Sequence, residues 1–127
     1  MAQADQKAIV FYPKDKCELN RCRFIGEVVE APLFMLVGKS RRPATYFVID
    51  VSKIRVVNGF THLYSFKIPV RTLDNTAKYC RDNLNCGMLV RVDGELYEET
   101  YESGNRIALH AKRVVLVKVY NGPEPQK

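Results

Sequence analysis

Aromatic rings and cations recur close together along this chain of 127 residues. Tyr46, Phe60, Tyr64 and Tyr101 offer flat π-faces on which other planar rings can stack. Lys14, Lys16, Arg21, Arg23, Lys39, Arg41, Arg42, Arg55 and Lys67 offer charges that suit phosphate oxygens. Rings and cations in one groove are the chemistry that holds an unpaired nucleic-acid strand, with bases on the rings and backbone charge on the cations. Each tyrosine also has a plainer reading as a half-buried barrel residue, and the basic run Gly38–Pro43 as a solvated turn.

Catalytic chemistry finds less support. The cysteines at 17, 22, 80 and 86 form no CxxC pair, and His62 and His110 lie outside any zinc-finger spacing. Cys22 and Cys80 read as small apolar core residues, Cys17 and Cys86 as residues near element ends. No Cys-His motif, carboxylate pair, phosphate loop or metal motif stands out. The expectation is a binding protein rather than an enzyme, with no cofactor and no metal.

Composition sets the frame for these residues. The length fits one domain with its own core. With 46% hydrophobic and 27% charged residues the chain falls in the globular class, away from disordered and collagen-like sequences. No apolar run approaches the roughly 18 residues of a membrane span, and Met1–Lys7 lacks the apolar stretch of a signal peptide. These features predict a cytoplasmic protein without a membrane partner. Twenty Lys and Arg against fourteen Asp and Glu give a net charge of +6, which favours a polyanionic partner.

The elements that must position the rings can be read from periodicity. Residues 1–19 form an N-terminal arm in which Ala8–Tyr12 is apolar enough for a short extra strand ended by Pro13. Cys22–Glu30 predicts the first barrel strand, with Gly26 offering a bend and Ala31-Pro32 closing it. Leu33–Val37 is then an apolar patch ahead of the basic loop. Ala44–Ser52 alternates Phe47, Ile49 and Val51 against Tyr46, Val48, Asp50 and Ser52, and Ile54–Val57 extends it to an Asn58-Gly59 turn. On the returning strand Phe60–Arg71, Tyr64, Phe66, Ile68 and Val70 share one parity, while Pro69 predicts an end or an edge. Leu73, Ala77, Cys80 and Leu84 fall at helical spacing. After Gly87, Leu89–Leu96 reads as a strand whose Gly94 marks a sharp curl. Ser103–Arg106 is a turn, and Ile107–Tyr120 supplies the last strand, broken near Lys112-Arg113. Residues 121–127 form a flexible tail.

Three stretches, taken in order, resemble one family: the bacterial and phage single-stranded DNA-binding proteins with an OB-fold. Asn20-Arg21, Phe24-Ile25-Gly26, Val28 and Pro32 resemble the family's opening strand. Ala44–Lys53 resembles its second strand, with Phe47, Ile49 and Val51 at the inward positions. Leu84, Gly87, Val90, Val92, Gly94 and Leu96 match its spacing from helix end to bent strand, and Tyr101 falls where members carry an aromatic. The resemblance implies an all-β fold, a five-stranded OB-fold barrel with one helix between strands 3 and 4, over residues 20–120. It implies sequence-independent binding of single-stranded DNA in replication, recombination or repair. Tyr64 and Tyr101 take the stacking positions. It further implies a homo-oligomer, tetramer or dimer.

The chain departs from the family in four ways. It has no tryptophan. Val70 stands where a phenylalanine is common, and Arg55 near a tryptophan position. Asn121–Lys127 is not the acidic, phenylalanine-tipped tail, which suits a short phage- or plasmid-like form, in the host cytoplasm if phage-encoded, or a primosome-type relative. Replication or recombination proteins would then be met by some route other than such a tail. Asp93, Glu95, Glu98, Glu99 and Glu102 gather near Tyr101, more acidic than family hairpins, and could face a protein neighbour. The competing readings are therefore an OB-fold protein-interaction module, using sheet edges and Leu33–Val37, and an RNA-directed OB module.

Overall fold

In the computed structural model, which describes residues 8, 10 and 20–119, the alternating stretches become five strands and one helix. These are β1 (Cys22–Val37), β2 (Arg42–Val57), β3 (Phe60–Leu73), α1 (Asp74–Asn83), β4 (Leu89–Tyr101) and β5 (Gly104–Leu116). The strands close a barrel in the order β1-β2-β3-β5-β4, the OB-fold arrangement expected, with α1 between β3 and β4. The α1 helix has ten residues, and no helix among the described residues is long and apolar enough to cross a membrane.

Closure depends on β1 serving two neighbours. Its first half, Cys22–Glu27, pairs with β4, and the strand from Glu27 onward pairs with β2. At Gly26 a Cβ would come within 2.8 Å of the Asp50 carbonyl oxygen, so a bare backbone is needed where the strand changes partners. Gly94 is tighter still: a Cβ there would overlap the His110 carbonyl oxygen. Register shifts beside Gly94, where Asp93 pairs with Arg113 but Gly94 with Ala111, leaving Lys112 as the extra residue of a bulge. The break expected near Lys112-Arg113 is therefore a bulge inside a continuous strand.

Inside the barrel, the inward residues of each strand meet. Val28, Phe47, Ile49, Ile68, Val70, Val90, Val92, Leu109, Ala111 and Val114 form the core, and Cys80 and Leu84 from α1 and its end cover it. Two buried hydroxyls are paired here: Thr45 Oγ1 anchors the helix by donating to the Ala77 carbonyl at 2.7 Å, and Thr72 Oγ1 ties β3 to β2 by donating to the Thr45 carbonyl at 3.0 Å. Satisfied in this way, they avoid the cost of burying a polar group unpaired.

Several expected boundaries shift. β1 does not stop at Pro32 but runs to Val37, because irregularities between Val28 and Leu33 absorb the missing amide donor. Leu33–Val37 is consequently strand, not a separate patch. The basic loop shrinks to residues 38–41, with Arg42 and Pro43 already in β2. β3 continues past Pro69 to Leu73; Pro69 pairs with Val48 just before β5 joins the other side of β3 at Val70. β5 ends at Leu116 rather than Tyr120, which lies outside the described residues, as do residue 9 and residues 11–19 of the N-terminal arm and the tail. Asn58 (φ 51°) and Gly59 (φ 80°) both take the left-handed conformation the expected tight turn requires.

Two substitutions test this account of closure. Gly94→Ala should cost about 1–3 kcal/mol by forcing β4 off β5, and Val92→Asp more than about 3 kcal/mol by placing an unpaired carboxylate in the core. Urea midpoints within error of the wild type for either would contradict it.

Candidate nucleic-acid interface

Because side chains alternate along a strand, register assigns each candidate to a face. On β4 the odd residues Asp93, Glu95, Tyr97, Glu99 and Tyr101 point outward while Val90, Val92 and Leu96 point in. On β2 and β3 the outward pair beside the barrel is Tyr46 with Arg71, and on β5 it is Arg106 and His110. These outward residues converge. Tyr46, Tyr101 and Arg106 line a groove of about 280 Å³, floored by Val48 and Pro69 and bounded by Leu33 and Glu30 of β1.

Contacts in the groove fix the rings. The Arg106 guanidinium lies 4.4 Å over the Tyr101 ring and also donates to its hydroxyl at 3.1 Å. Tyr101 in turn donates to Glu99 Oε2 at 2.6 Å. Next along β4, Arg71 lies 4.1 Å over Tyr97 and its Nε donates to His110 Nδ1 at 3.4 Å. Such cation–π contacts hold a ring flat and leave its opposite face for another partner. Burial pushes the Tyr97 phenol up to about 12, against the pull of Arg71. Its hydroxyl lies near Glu99 without a hydrogen bond of good geometry. Tyr46 is pushed up as well, first by burial, and senses Arg71, Glu99 and Tyr101. Three tyrosines, two arginines and a glutamate thus form one coupled cluster on the outside of the barrel.

The other candidates lie elsewhere. Tyr64, Phe60 and Arg55 sit on the part of the β2–β3 hairpin beyond the barrel, on the face that continues the core, opposite in direction to Tyr46 and Tyr101. Lys67 points outward across from Asp50. Lys39 and Arg41 are exposed in the β1–β2 turn, whereas Arg42 is engaged with Asp74 at 2.6 Å, which raises the arginine and holds the carboxyl below its usual range. Arg21 and Arg23 line a pocket of about 560 Å³ with Asp93, Glu95 and Lys112. Charge there is largely compensated: Arg23 meets Asp93 at 2.9 Å and Lys112 meets Glu95 at 3.7 Å. Lys14 and Lys16 lie outside the described residues.

Asn20 turns out to be structural, since its amide donates to the Leu96 carbonyl at 2.7 Å and accepts from the Leu96 amide at 3.0 Å. Among the cysteines, Cys80 is buried, Cys22 half-buried and Cys86 exposed; burial pushes the Cys80 thiol up to about 11, which keeps it unreactive. Sequence reasoning missed Arg71, Tyr97 and Arg106. Parity was the available signal: Tyr97 and Tyr101 are four residues apart on one strand and must share a face.

No protein-family model matches the chain, and no curated protein matches it in sequence. Solved structures do. The wild-type single-stranded DNA-binding protein from Thermus aquaticus superposes with a TM-score of 0.68 at 18% identity, covering 79% of this chain and 50% of that one. The small single-stranded DNA-binding protein from Streptomyces coelicolor gives 0.59 at 17% identity, over 76% of this chain and 93% of that one. The PriB protein from Ralstonia solanacearum gives 0.62 at 14% identity, over 77% and 97%. This chain therefore spans about half the length of the Thermus aquaticus protein and nearly all of the two shorter ones. At these identities the likeness establishes a shared fold.

The contact between Arg71 and His110 makes one prediction. Burial, then the charge of Arg71, lowers the His110 pKa below the ordinary 6.5. An imidazole that resists protonation when folded destabilises the protein as pH falls from 6.5 through that lowered value, and leaves stability untouched above 6.5. Proton NMR should show His110 titrating below 6.5, moving back toward it in Arg71→Ala; a His110 titration unchanged by Arg71→Ala would contradict the contact.

Proposed function

We propose that this chain binds single-stranded DNA largely without regard to sequence, stacking bases on Tyr46 and Tyr101 in the outer groove. The observation that carries the reading is the groove lined by Tyr46, Tyr101 and Arg106, with Arg106 over the Tyr101 ring and, next along β4, Arg71 over Tyr97. Arginine over a ring both levels the platform and leaves guanidinium edges for phosphate. Unpaired strands need this combination, because every base has a π-face and every nucleotide a charge.

A path along the same face extends the groove. From Asp93 to Tyr101 the outward residues of β4 span about 25 Å at roughly 3.3 Å per residue. Arg21, Arg23 and Lys112 stand at one end and Arg106 at the other. Lys39 and Arg41 in the β1–β2 turn and Lys67 on β3 add phosphate contacts, and Arg42 joins them when a phosphate replaces its exposed partner Asp74. Exposed ion pairs are worth about 0–1 kcal/mol, so the exchange is cheap. The hairpin beyond the barrel adds Phe60, Tyr64 and Arg55 as a second stacking surface. The role fits a protein of DNA replication, recombination or repair that works as a homo-oligomer, with the exposed Ile25, Leu33 and Leu36 of β1 as contact residues.

A protein-interaction module is the second reading. It is favoured by Glu30 and Glu99 in the groove and by the exposed Ile54, Val56 and Leu63. A mobility shift with an oligo-dT at low salt separates the two, and an oligo-U of equal length separates an RNA module.

Tyr101→Ala and Tyr64→Ala should each weaken oligo-dT binding by about 1–3 kcal/mol with the barrel intact, while Tyr101→Phe keeps most of the affinity. Affinity should fall with salt at a log–log slope near 0.7 per phosphate neutralised. A flat salt series, or losses under a few tenths of a kcal/mol for both alanine variants, would exclude stacking on these rings.

A further inference from the structure

Beyond Asp50, β2 loses its β1 neighbour, and β3 meets β5 at Val70 and Arg71, so among the described residues the segment 51–66 forms a two-stranded arm paired with itself. Its two faces differ in kind. On the face continuing the barrel interior, Phe66, Tyr64, His62 and Phe60 follow one another along β3, with Lys53 opposite Tyr64 and Arg55 opposite His62. On the other face Ser52, Ile54, Val56, Thr61, Leu63 and Ser65 carry no charge. A purely solvated arm would gain nothing by collecting every ring and every cation on one side.

Within that row, the His62 and Tyr64 rings stand with centroids 6.2 Å apart and planes inclined by 34°. Side chains two apart on a strand repeat at about 6.7 Å. A base stacked on both faces needs two stacking intervals of about 3.4 Å, or roughly 6.8 Å between flanking rings. The observed gap therefore lies about 0.6 Å short of a full sandwich, a difference that levelling the tilted rings supplies by small side-chain rotations. Phe66 is already engaged, its ring edge-on to Phe24 at 5.9 Å and 81°, so the free row begins at Tyr64, which is 50% exposed.

We infer that His62 and Tyr64 form a slot taking a single nucleobase between their rings, with Lys53 and Arg55 across the ladder on the flanking phosphates. The inference rests on the strand-binding reading above and adds His62 and Lys53 to it. A second copy of this face is a poor occupant, because it would set Lys53 and Arg55 against their own counterparts. An unpaired strand brings the opposite charge and the flat ring together.

The test uses the whole chain, an oligo-dT and the same oligomer with its central bases removed. His62→Ala should weaken oligo-dT binding about fivefold or more, as expected for one lost stack. His62→Phe, which keeps a flat ring, should remain within twofold of the wild type. On the abasic oligomer the three proteins should bind alike. The His62 Cε1 proton should move upfield on adding oligo-dT and stay in place with the abasic strand. If oligo-dT binds but His62→Ala lies within twofold of the wild type, or His62→Phe loses as much as His62→Ala, or the His62 resonance stays fixed at saturation, the slot is wrong and the groove reading stands. If His62→Ala changes the sedimentation of the protein and not its affinity, the face is an interface between copies instead. A wild type that binds neither oligomer removes both readings together.

Discussion

The close approach of β4 to β5 at Gly94 is the constraint on which the rest of the molecule depends. There the backbone of His110 and Ala111 occupies the space a side chain would need. The contact lets β5 curl far enough to reach β3, and the joining residues, Val70 with Leu109 and Arg71 with His110, are immediate neighbours of the crowded point. Inside the barrel this sets Val70 and Leu109 into the core, both almost fully buried. Outside, it sets Arg71 beside His110 and over Tyr97, next along the wall from the groove. The same few backbone atoms therefore decide both core packing and the placement of the outer rings.

The second organising fact is that one ribbon presents two different surfaces as it leaves the barrel. Near the wall, the inward face of β2 and β3 is core and the outward face is groove. Past residue 51 nothing among the described residues covers the inward face, and the sequence there changes from Ile68 and Phe66 to Tyr64, His62 and Phe60, with Lys53 and Arg55 opposite. Tyr46 and Tyr64 lie on neighbouring strands yet face opposite ways.

Much of this was legible in the chain itself. Alternation of Phe47, Ile49 and Val51 gave β2 its direction, Asn58-Gly59 gave the turn, helical spacing from Leu73 to Leu84 gave α1, and Gly94 gave the curl. Boundaries failed where local chemistry was overridden by pairing. Pro32 reads as a strand end, but a strand already irregular at Val28–Leu33 tolerates a missing donor; Pro69 reads likewise, but lies where β3 has β2 alone beside it. The candidate site was legible as a list of residue types and not as a surface. Tyr64 and Tyr101 look equivalent in sequence, since the face of a ring past the barrel wall depends on where burial stops. Arg71 was invisible because it reaches Tyr97 and His110 only where barrel closure sets β3 beside β5, whereas Arg106 meets Tyr101 across the β4–β5 hairpin, where strand parity was the signal.

In the proposed role, charge leaves stacking, rather than attraction alone, to define this surface. The chain carries a net +6, yet Arg23, Arg42, Arg81 and Lys112 each have a carboxylate within 4 Å, and Glu30 and Glu99 stand in the groove. Most of these pairs are exposed, so each is weak and a phosphate can take the place of the carboxylate at little cost. Exchange of that kind yields modest net affinity, because one anion replaces another. The rings differ: Tyr46 and Tyr101 are already part-buried and Tyr101 is held by Arg106 and Glu99, so most of the ordering cost is met before a base arrives. In the proposed strand-binding role, a surface with half-compensated charge and pre-set rings would discriminate against a duplex, whose bases are stacked on one another and whose phosphates alone remain to be bound.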